Sequence, residues 1–184
     1  MFIDILADWL DRLRLRSLRK AGLILPEDCR LADLPHFDSE PYLITIGHHV
    51  AIAEGVSFVT HDGGTYAFRH LPRYHQVIKF GRITIHDNCV IGQRVIILPG
   101  VTIGPNSVVA AGSVVSRNIP ANVLAAGNPA KPVMTLEQYA EWSLAGTPDY
   151  DPEEYHRDKK ACLMKMALRG SHQPKANAGP RSAG

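Results

Sequence analysis

The sequence predicts a mainly β fold built as a parallel β-solenoid, and three observations predict it. Between residues 83 and 120 an aliphatic side chain returns at every sixth position: Ile85, Ile91, Ile97, Ile103, Val109, Val115. A second series keeps step four places later in each hexad, through Cys89, Val95, Val101, Ser107, Ser113 and Ile119, all small or medium in size. The fourth place of each hexad reads Asn88, Arg94, Gly100, Asn106, Gly112, Asn118, and five of these six are the types that best accept a left-handed backbone. One short strand plus one corner, repeated every six residues, describes coils that stack on one another. Helix is excluded by the spacing and by Gly92, Pro99, Gly100, Gly104, Pro105 and Gly112, and a sandwich would show period-two runs joined by hairpin turns.

Along the chain, residues 1–22 form an amphipathic helix, with Phe2, Ile5, Leu6, Trp9, Leu10, Leu13 and Leu18 at helical spacing. Asp4, Asp8, Asp11 and Arg12 interrupt any run long enough for a signal peptide or a membrane span, so the expected location is the cytoplasm. Arg12, Arg14, Arg16, Arg19 and Lys20 suit a weak contact with an anionic membrane surface, and a helix packed on its own protein or a neighbouring subunit is the plainer reading. The solenoid occupies residues 23–133. Leu25 and Leu31, six apart around Asp28, suggest an irregular first rung over 23–34, and Tyr42-Leu43-Ile44 reads as a strand leading in. Regular repetition then begins with Ile46, Ile52 and Phe58 in one series and Val50 and Val56 in the other.

From Phe58 to Ile85 the spacing is not a multiple of six, so residues 64–78 must loop out of the solenoid. Insertions of this kind emerge from one face and often form the binding surface. Residues 134–169 read as C-terminal helices. Thr135 to Gln138 has capping-box spacing, and Asp151-Pro152 starts a second helix running to about Leu168. Residues 170–184, rich in Gly, Pro, Ser and Ala, read as a disordered tail.

Composition narrows the function. A net charge of +2 over 184 residues, with no basic patch interleaved with aromatics, argues against nucleic acid. Cys29, Cys89 and Cys162 lie far apart with no Cys-x-x-Cys pair, so neither a zinc knuckle nor a disulfide framework is indicated, and Cys89 reads as a small core residue. His61 is the leading chemical candidate. It falls on a corner just where the excursion begins, and an imidazole titrating near neutrality suits a general base. Asp62, Glu40, Glu54 and Asp87 are the carboxylates considered for orienting it or for holding an acceptor, and Tyr66, Arg69 and Tyr74, with Phe68 and Arg73, suit a sugar face or phosphates.

The ladder and the segment that follows it, Ile119-Pro120-Ala121-Asn122-Val123-Leu124-Ala125-Ala126-Gly127-Asn128-Pro129-Ala130-Lys131, resemble the hexapeptide-repeat acyltransferase family, in particular its sugar and xenobiotic O-acetyltransferase branch. The resemblance covers roughly residues 40 to 133. It implies a left-handed β-helix, acetyl-CoA as donor with no metal required, and homotrimers whose active sites lie between subunits. It also implies His61 as the catalytic base. Ala111, Gly112 and Ser113 then line the pantetheine arm, and Asn128 and Lys131 lie by the adenosine phosphate. Asp62, Tyr66, Arg69 and Tyr74 become candidates for binding a carbohydrate acceptor. Ser39 to Ile44 and Thr60 to Gly64 look closer to the acetyltransferases of surface-polysaccharide assembly. Two departures leave the acceptor open: Val90 stands where many members carry an aromatic residue, and the N-terminal region does not resemble the acceptor-pocket helices of maltose and galactoside acetyltransferases.

The alternatives are N-acetylation of an amino sugar, acetylation of an antibiotic, a metal hydratase like the γ-class carbonic anhydrases with His61, His70 and His75 on zinc, and a non-catalytic scaffold.

Overall fold

The structure, a computed structural model, describes residues 2–168 and falls into two compact units, Met1–Leu136 and Glu137–Gly184. The expected tail at 170–184 lies outside the described residues.

The first unit is a three-sided solenoid. Each coil contributes one short strand to each of three parallel sheets. The first sheet stacks β3 (Ile44–Ile46), β6 (Ile83–Ile85) and β9 (Thr102–Ile103). The second stacks β1 (Arg30–Leu31), β4 (Ala51–Ile52), β7 (Val90–Ile91), β10 (Val108–Val109) and β12 (Val123–Gly127), and β12 turns back antiparallel into β13 (Ala130–Thr135). The third stacks β2 (His36–Phe37), β5 (Ser57–Phe58), β8 (Ile96–Ile97) and β11 (Val114–Val115). Both hexad series point inward: Ile85, Ile91, Ile97, Ile103, Val109 and Val115 are 0–1% exposed, and Cys89, Val95, Val101, Ser107 and Ser113 are 0–1% exposed. The buried serines are satisfied locally, Ser107 Oγ donating to Pro120 O at 2.9 Å and Ser113 Oγ to Ala110 O at 2.7 Å.

The corners follow the fourth-place pattern, with two instructive exceptions. Asn88, Arg94, Gly100, Asn106 and Gly112 take φ of 57°, 55°, 84°, 54° and 71°. Arg94, the residue least suited to it, adopts the left-handed backbone, while Asn118 does not. The last coil is shorter by two residues. Asn88 and Asn106, which bond across one coil, are 18 apart, whereas Asn106 and Asn122 are 16 apart. Asn122 therefore takes the left-handed corner, at φ 59°, and completes a ladder of side-chain amides with Asn106 and Asn88 at 3.0 and 3.1 Å. The same shortening pairs Ile119 with Ile103, a member of the first inward series.

The early chain is more regular than its sequence suggests. Ile24 bridges Thr45, β1 pairs with β4 and β2 with β5, so residues 24–37 complete a full coil. Pro41–Leu43 is a 3₁₀ turn, and the strand expected there starts at Ile44. Helix α1 (Phe2–Lys20) packs Leu15 and Leu18 against the solenoid core and leaves Trp9, Leu10 and Leu13 exposed. Among the described residues no helix is long and apolar enough to cross a membrane.

In the second unit, α2 (Leu136–Gly146) runs on from β13. The single helix expected from Asp151 is divided into α3 (Pro152–Arg157) and α4 (Lys159–Leu168). Asp151 caps α3 through the Glu153 N–H at 2.9 Å, and Asp158, at φ −144° and ψ 80°, leaves the helix and caps α4 through the Ala161 N–H at 3.0 Å.

Candidate active site

The excursion is rooted on two bridges. His61 pairs antiparallel with Phe80, and the Asp62 N–H donates to Lys79 O at 2.9 Å, so the loop spans 62–79 and is slightly longer than the sequence spacing suggests. It carries 3₁₀ turns at Gly63–Phe68 and Pro72–Tyr74. Where the chain re-enters, a Cβ on Gly81 would lie 2.3 Å from Gly100 N, so a backbone-to-backbone approach fixes the loop's return.

His61 sits three residues beyond the end of β5, and the parallel pairing of β2 with β5 brings the residues after β2 alongside it. The His61 Nδ1–H donates to Glu40 Oε2 at 3.2 Å, and Asp38 Oδ2 lies 3.0 Å from the same nitrogen. Both carboxylates are held from behind. Asp38 accepts the Thr60 N–H at 3.1 Å and the Ser39 N–H at 3.0 Å, and Glu40 accepts the Thr60 hydroxyl at 2.5 Å and the Ser39 hydroxyl at 2.7 Å. Thr60 is fully buried, and Phe80 leans on the imidazole with ring centroids 5.7 Å apart.

This network keeps both acids ionised. Burial alone would raise the Asp38 carboxyl, but the Thr60 and Ser39 N–H groups and His61 together hold it below its ordinary value. Glu40 is lowered chiefly by the Thr60 hydroxyl, against partial desolvation and with help from Ser39 and His61. With two anionic acceptors at Nδ1, the neutral imidazole keeps its proton there and presents a free lone pair at Nε2. That is the arrangement a general base requires.

Of the other carboxylates considered, Asp62 turns away to Lys79 at 2.8 Å and the Gly64 N–H at 2.9 Å, securing the loop. Asp87 accepts the His48 N–H at 2.7 Å, and Glu54 lies exposed at another corner, on the segment that bonds Arg94. Asp38 and Thr60 escaped the sequence reading because the first coil had not been counted as regular. Extending the register back to His36–Phe37 would have placed Asp38 opposite Val59 and Ser39 opposite Thr60, beside the corner that carries His61.

On the excursion, Tyr66 is 83% exposed, Arg69 Nε donates to Val77 O at 3.1 Å, and Tyr74 meets Phe68 edge-on. Of the donor candidates, Ala111 and Gly112 are exposed on a corner and Ser113 is buried. Asn128 and Lys131 are exposed on the β12–β13 hairpin, which is tied to the same corner by the Gly127 N–H donating to Ser113 Oγ at 3.1 Å. Among the described residues, Asp38, Glu40 and His61 are the group whose ligand atoms lie within 4.8 Å of one another, and they could hold a divalent ion. His70 and His75 do not join them, so one chain does not assemble the three-histidine set of the hydratase alternative.

The three-sided solenoid of six-residue repeats is the fold that known proteins similar to this chain share. The bacterial transferase hexapeptide family (six repeats) matches residues 82–117. Protein CapG of Staphylococcus aureus is 47% identical over 150 residues, 80% of this chain and 86% of that protein. The galactoside O-acetyltransferase of Escherichia coli K12 is 37% identical over 126 residues, 66% of this chain and 53% of that protein. Among solved structures, a maltose O-acetyltransferase from Clostridium difficile 630 aligns with a TM-score of 0.52 at 26% identity, over 70% of this chain and 83% of that one. The hexapeptide-repeat acetyltransferase VCA0836 from Vibrio cholerae aligns with a TM-score of 0.53 at 26% identity, over 68% and 81%. The chain belongs to the bacterial hexapeptide transferases and is an acetyltransferase of that family, with its left-handed β-helix fold.

Proposed function

We propose that the chain is an acetyl-CoA-dependent O-acetyltransferase acting on a carbohydrate hydroxyl, with His61 as general base. The observation that carries this reading is the fixing of Nδ1 by Asp38 and Glu40 at the root of the excursion. His61 Nε2 takes the proton of the acceptor hydroxyl as its oxygen attacks the thioester carbonyl. The two carboxylates stabilise the imidazolium, and the tetrahedral intermediate collapses with release of coenzyme A, whose thiolate takes the proton back from Nε2. No covalent acyl-enzyme is involved. Ala111, Gly112 and Ser113 line the pantetheine arm, and Asn128 and Lys131 face the adenosine phosphate. The acceptor lies under the excursion, near Tyr66, Arg69 and Tyr74. The working unit is a homotrimer in the cytoplasm, with sites between subunits, serving surface-polysaccharide assembly. The galactoside and maltose acetyltransferases among its relatives favour a sugar over an antibiotic. An amine would be acetylated by the same base.

The test is thiol release from acetyl-CoA over a panel of sugars, amino sugars and nucleotide sugars, with the intact protein and His61→Gln. Loss of acceptor-dependent release by about 10²–10⁴-fold in the variant, with coenzyme A binding kept, is the expected result. Equal release by both proteins would remove His61 from the mechanism.

A further inference from the structure

Helix α1 has two unlike sides, and the solenoid covers one of them. Leu15 and Leu18 pack on the core, and Arg19, partly buried, reaches Glu27 at 3.8 Å. Asp11 and Arg12 border the groove between the helix and the first coil, near Leu31 and Leu34. On the outward side Trp9, Leu13, Arg16 and Lys20 stand at i, i+4, i+7 and i+11, one stripe along the helix, with Leu10 and Arg14 beside it. Trp9, Leu10 and Leu13 are 56%, 51% and 40% exposed, and Arg14, Arg16 and Lys20 are exposed as well.

The stripe is apolar at its start and cationic at its end, and no acid shares it. Asp11 lies on the opposite side of the helix from Trp9 and Leu13. Among the described residues none of Arg14, Arg16 and Lys20 has a carboxylate partner. A water-facing side gains nothing from a tryptophan and two leucines, and a protein partner has to supply an acid for each cation it buries. A second copy of this stripe supplies none. Nucleic acid supplies the anions but no apolar layer for the ring and the leucines. A bilayer surface supplies both: the acyl boundary takes the apolar side chains, and anionic headgroups take the cations at the ends of their flexible stems.

We propose that α1 binds the surface of an anionic bilayer, lying in its plane with Trp9, Leu10 and Leu13 below the headgroups and Arg14, Arg16 and Lys20 among them. Leu15 and Leu18 stay on the solenoid, so the helix tethers the first unit to the surface without leaving it. A single helix of this kind gives reversible attachment. The inference goes beyond the acetyl transfer proposed above and does not depend on it.

The experiment sediments the full chain with vesicles of phosphatidylcholine alone and of phosphatidylcholine mixed with phosphatidylglycerol, at low and at high salt. Binding to the mixed vesicles is expected, and it should weaken as salt rises. Arg14→Gln, Arg16→Gln and Lys20→Gln, made together, should lower the affinity by about 100-fold, about fivefold for each cation removed, with thermal unfolding unchanged because all three are exposed. In a Trp142→Phe background Trp9 is the one tryptophan left, and its emission should shift to the blue with the mixed vesicles alone. Light scattering without lipid should give the same mass for the parent chain and for the Trp9→Ser, Leu13→Ser protein. Equal recovery with both vesicle types, no recovery with either, or binding that survives the triple substitution overturns the proposal. So does a change of mass in the Trp9→Ser, Leu13→Ser protein, which would give this face to a second copy of the chain.

Discussion

Replacing Asp38 with Asn and Glu40 with Gln, singly and together, tests the base more sharply than replacing His61. Both oxygens lie 3.0–3.2 Å from one nitrogen, so the two carboxylates share a single task. Two unit charges about 4 Å apart attract by about 4 kcal/mol at an effective dielectric of about 20. His61 is 38% exposed, Asp38 18% and Glu40 14%, so water reduces that figure. Hydrogen bonds to charged groups then set the scale, at about 1.5–3 kcal/mol per carboxylate for stabilising the imidazolium. Each single variant should lose about 10–150-fold in kcat, because the remaining carboxylate still holds the Nδ1 tautomer. With both removed, the proton on Nδ1 is no longer held, and the loss should reach the full worth of the base, about 10²–10⁴-fold. Initial rates of thiol release at saturating acetyl-CoA and acceptor give the comparison, with coenzyme A affinity by calorimetry as the control. The reasoning would be refuted by a double variant that retains wild-type turnover, or by either single variant falling as far as His61→Gln.

Arg94→Gly should stabilise the fold. A left-handed backbone costs a non-glycine residue about 1–2 kcal/mol, and glycine gives back about 0.5–1 kcal/mol in unfolded-chain freedom, so a net gain of about 0.5–1 kcal/mol is expected. Thermal unfolding should rise by about 1–4 °C, and a fall would show that the Arg94 side chain contributes more at the corner than its backbone strain costs. Asp38 and Glu40 also make stability depend on pH. Their carboxyls titrate lower in the folded chain than in the unfolded one, so the folded state binds fewer protons. Their contribution is complete above the ordinary carboxylate range and fades as pH falls through that range and below it. Denaturant titrations over this interval should give a flatter profile for the Asp38→Asn, Glu40→Gln protein, and an unchanged profile would place the acid sensitivity elsewhere.

The solenoid was legible because stacking turns sequence period into geometry. Every inward position from Ile85 to Val115 was placed by counting, and four of the six fourth-place corners, Asn88, Gly100, Asn106 and Gly112, are left-handed as their residue types imply. Counting fails wherever a coil changes length. Two residues lost after Val115 moved Ile119 into the other series, removed the left-handed turn expected at Asn118 and brought Asn122 to the following corner, in line with Asn106. The site was legible in His61 and, as one of four candidate carboxylates, in Glu40. His61 stood out through its place before the interruption, whereas Asp38 and Thr60 carry no local signal, since their meaning comes from the pairing of β2 with β5. Asp62, adjacent to His61 in sequence, points elsewhere because neighbouring side chains in an extended segment diverge.

The division between rigid and adaptable parts follows from the same construction. The imidazole and its carboxylates hang from two stacked coils, through Thr60, whose side chain has no exposure and whose N–H and hydroxyl hold one acid each. Moving them requires breaking strand pairing in the core. The excursion is a loop, closed at its root by the His61–Phe80 bridge and by the approach of Gly81 to Gly100, and otherwise free to change its side chains without disturbing a rung. Under the proposed function, chemistry is fixed by the solenoid and specificity is left to the insertion. Gly81→Ala is the substitution that would couple the two, because its Cβ would displace the backbone at Gly100 and shift the loop and the base together.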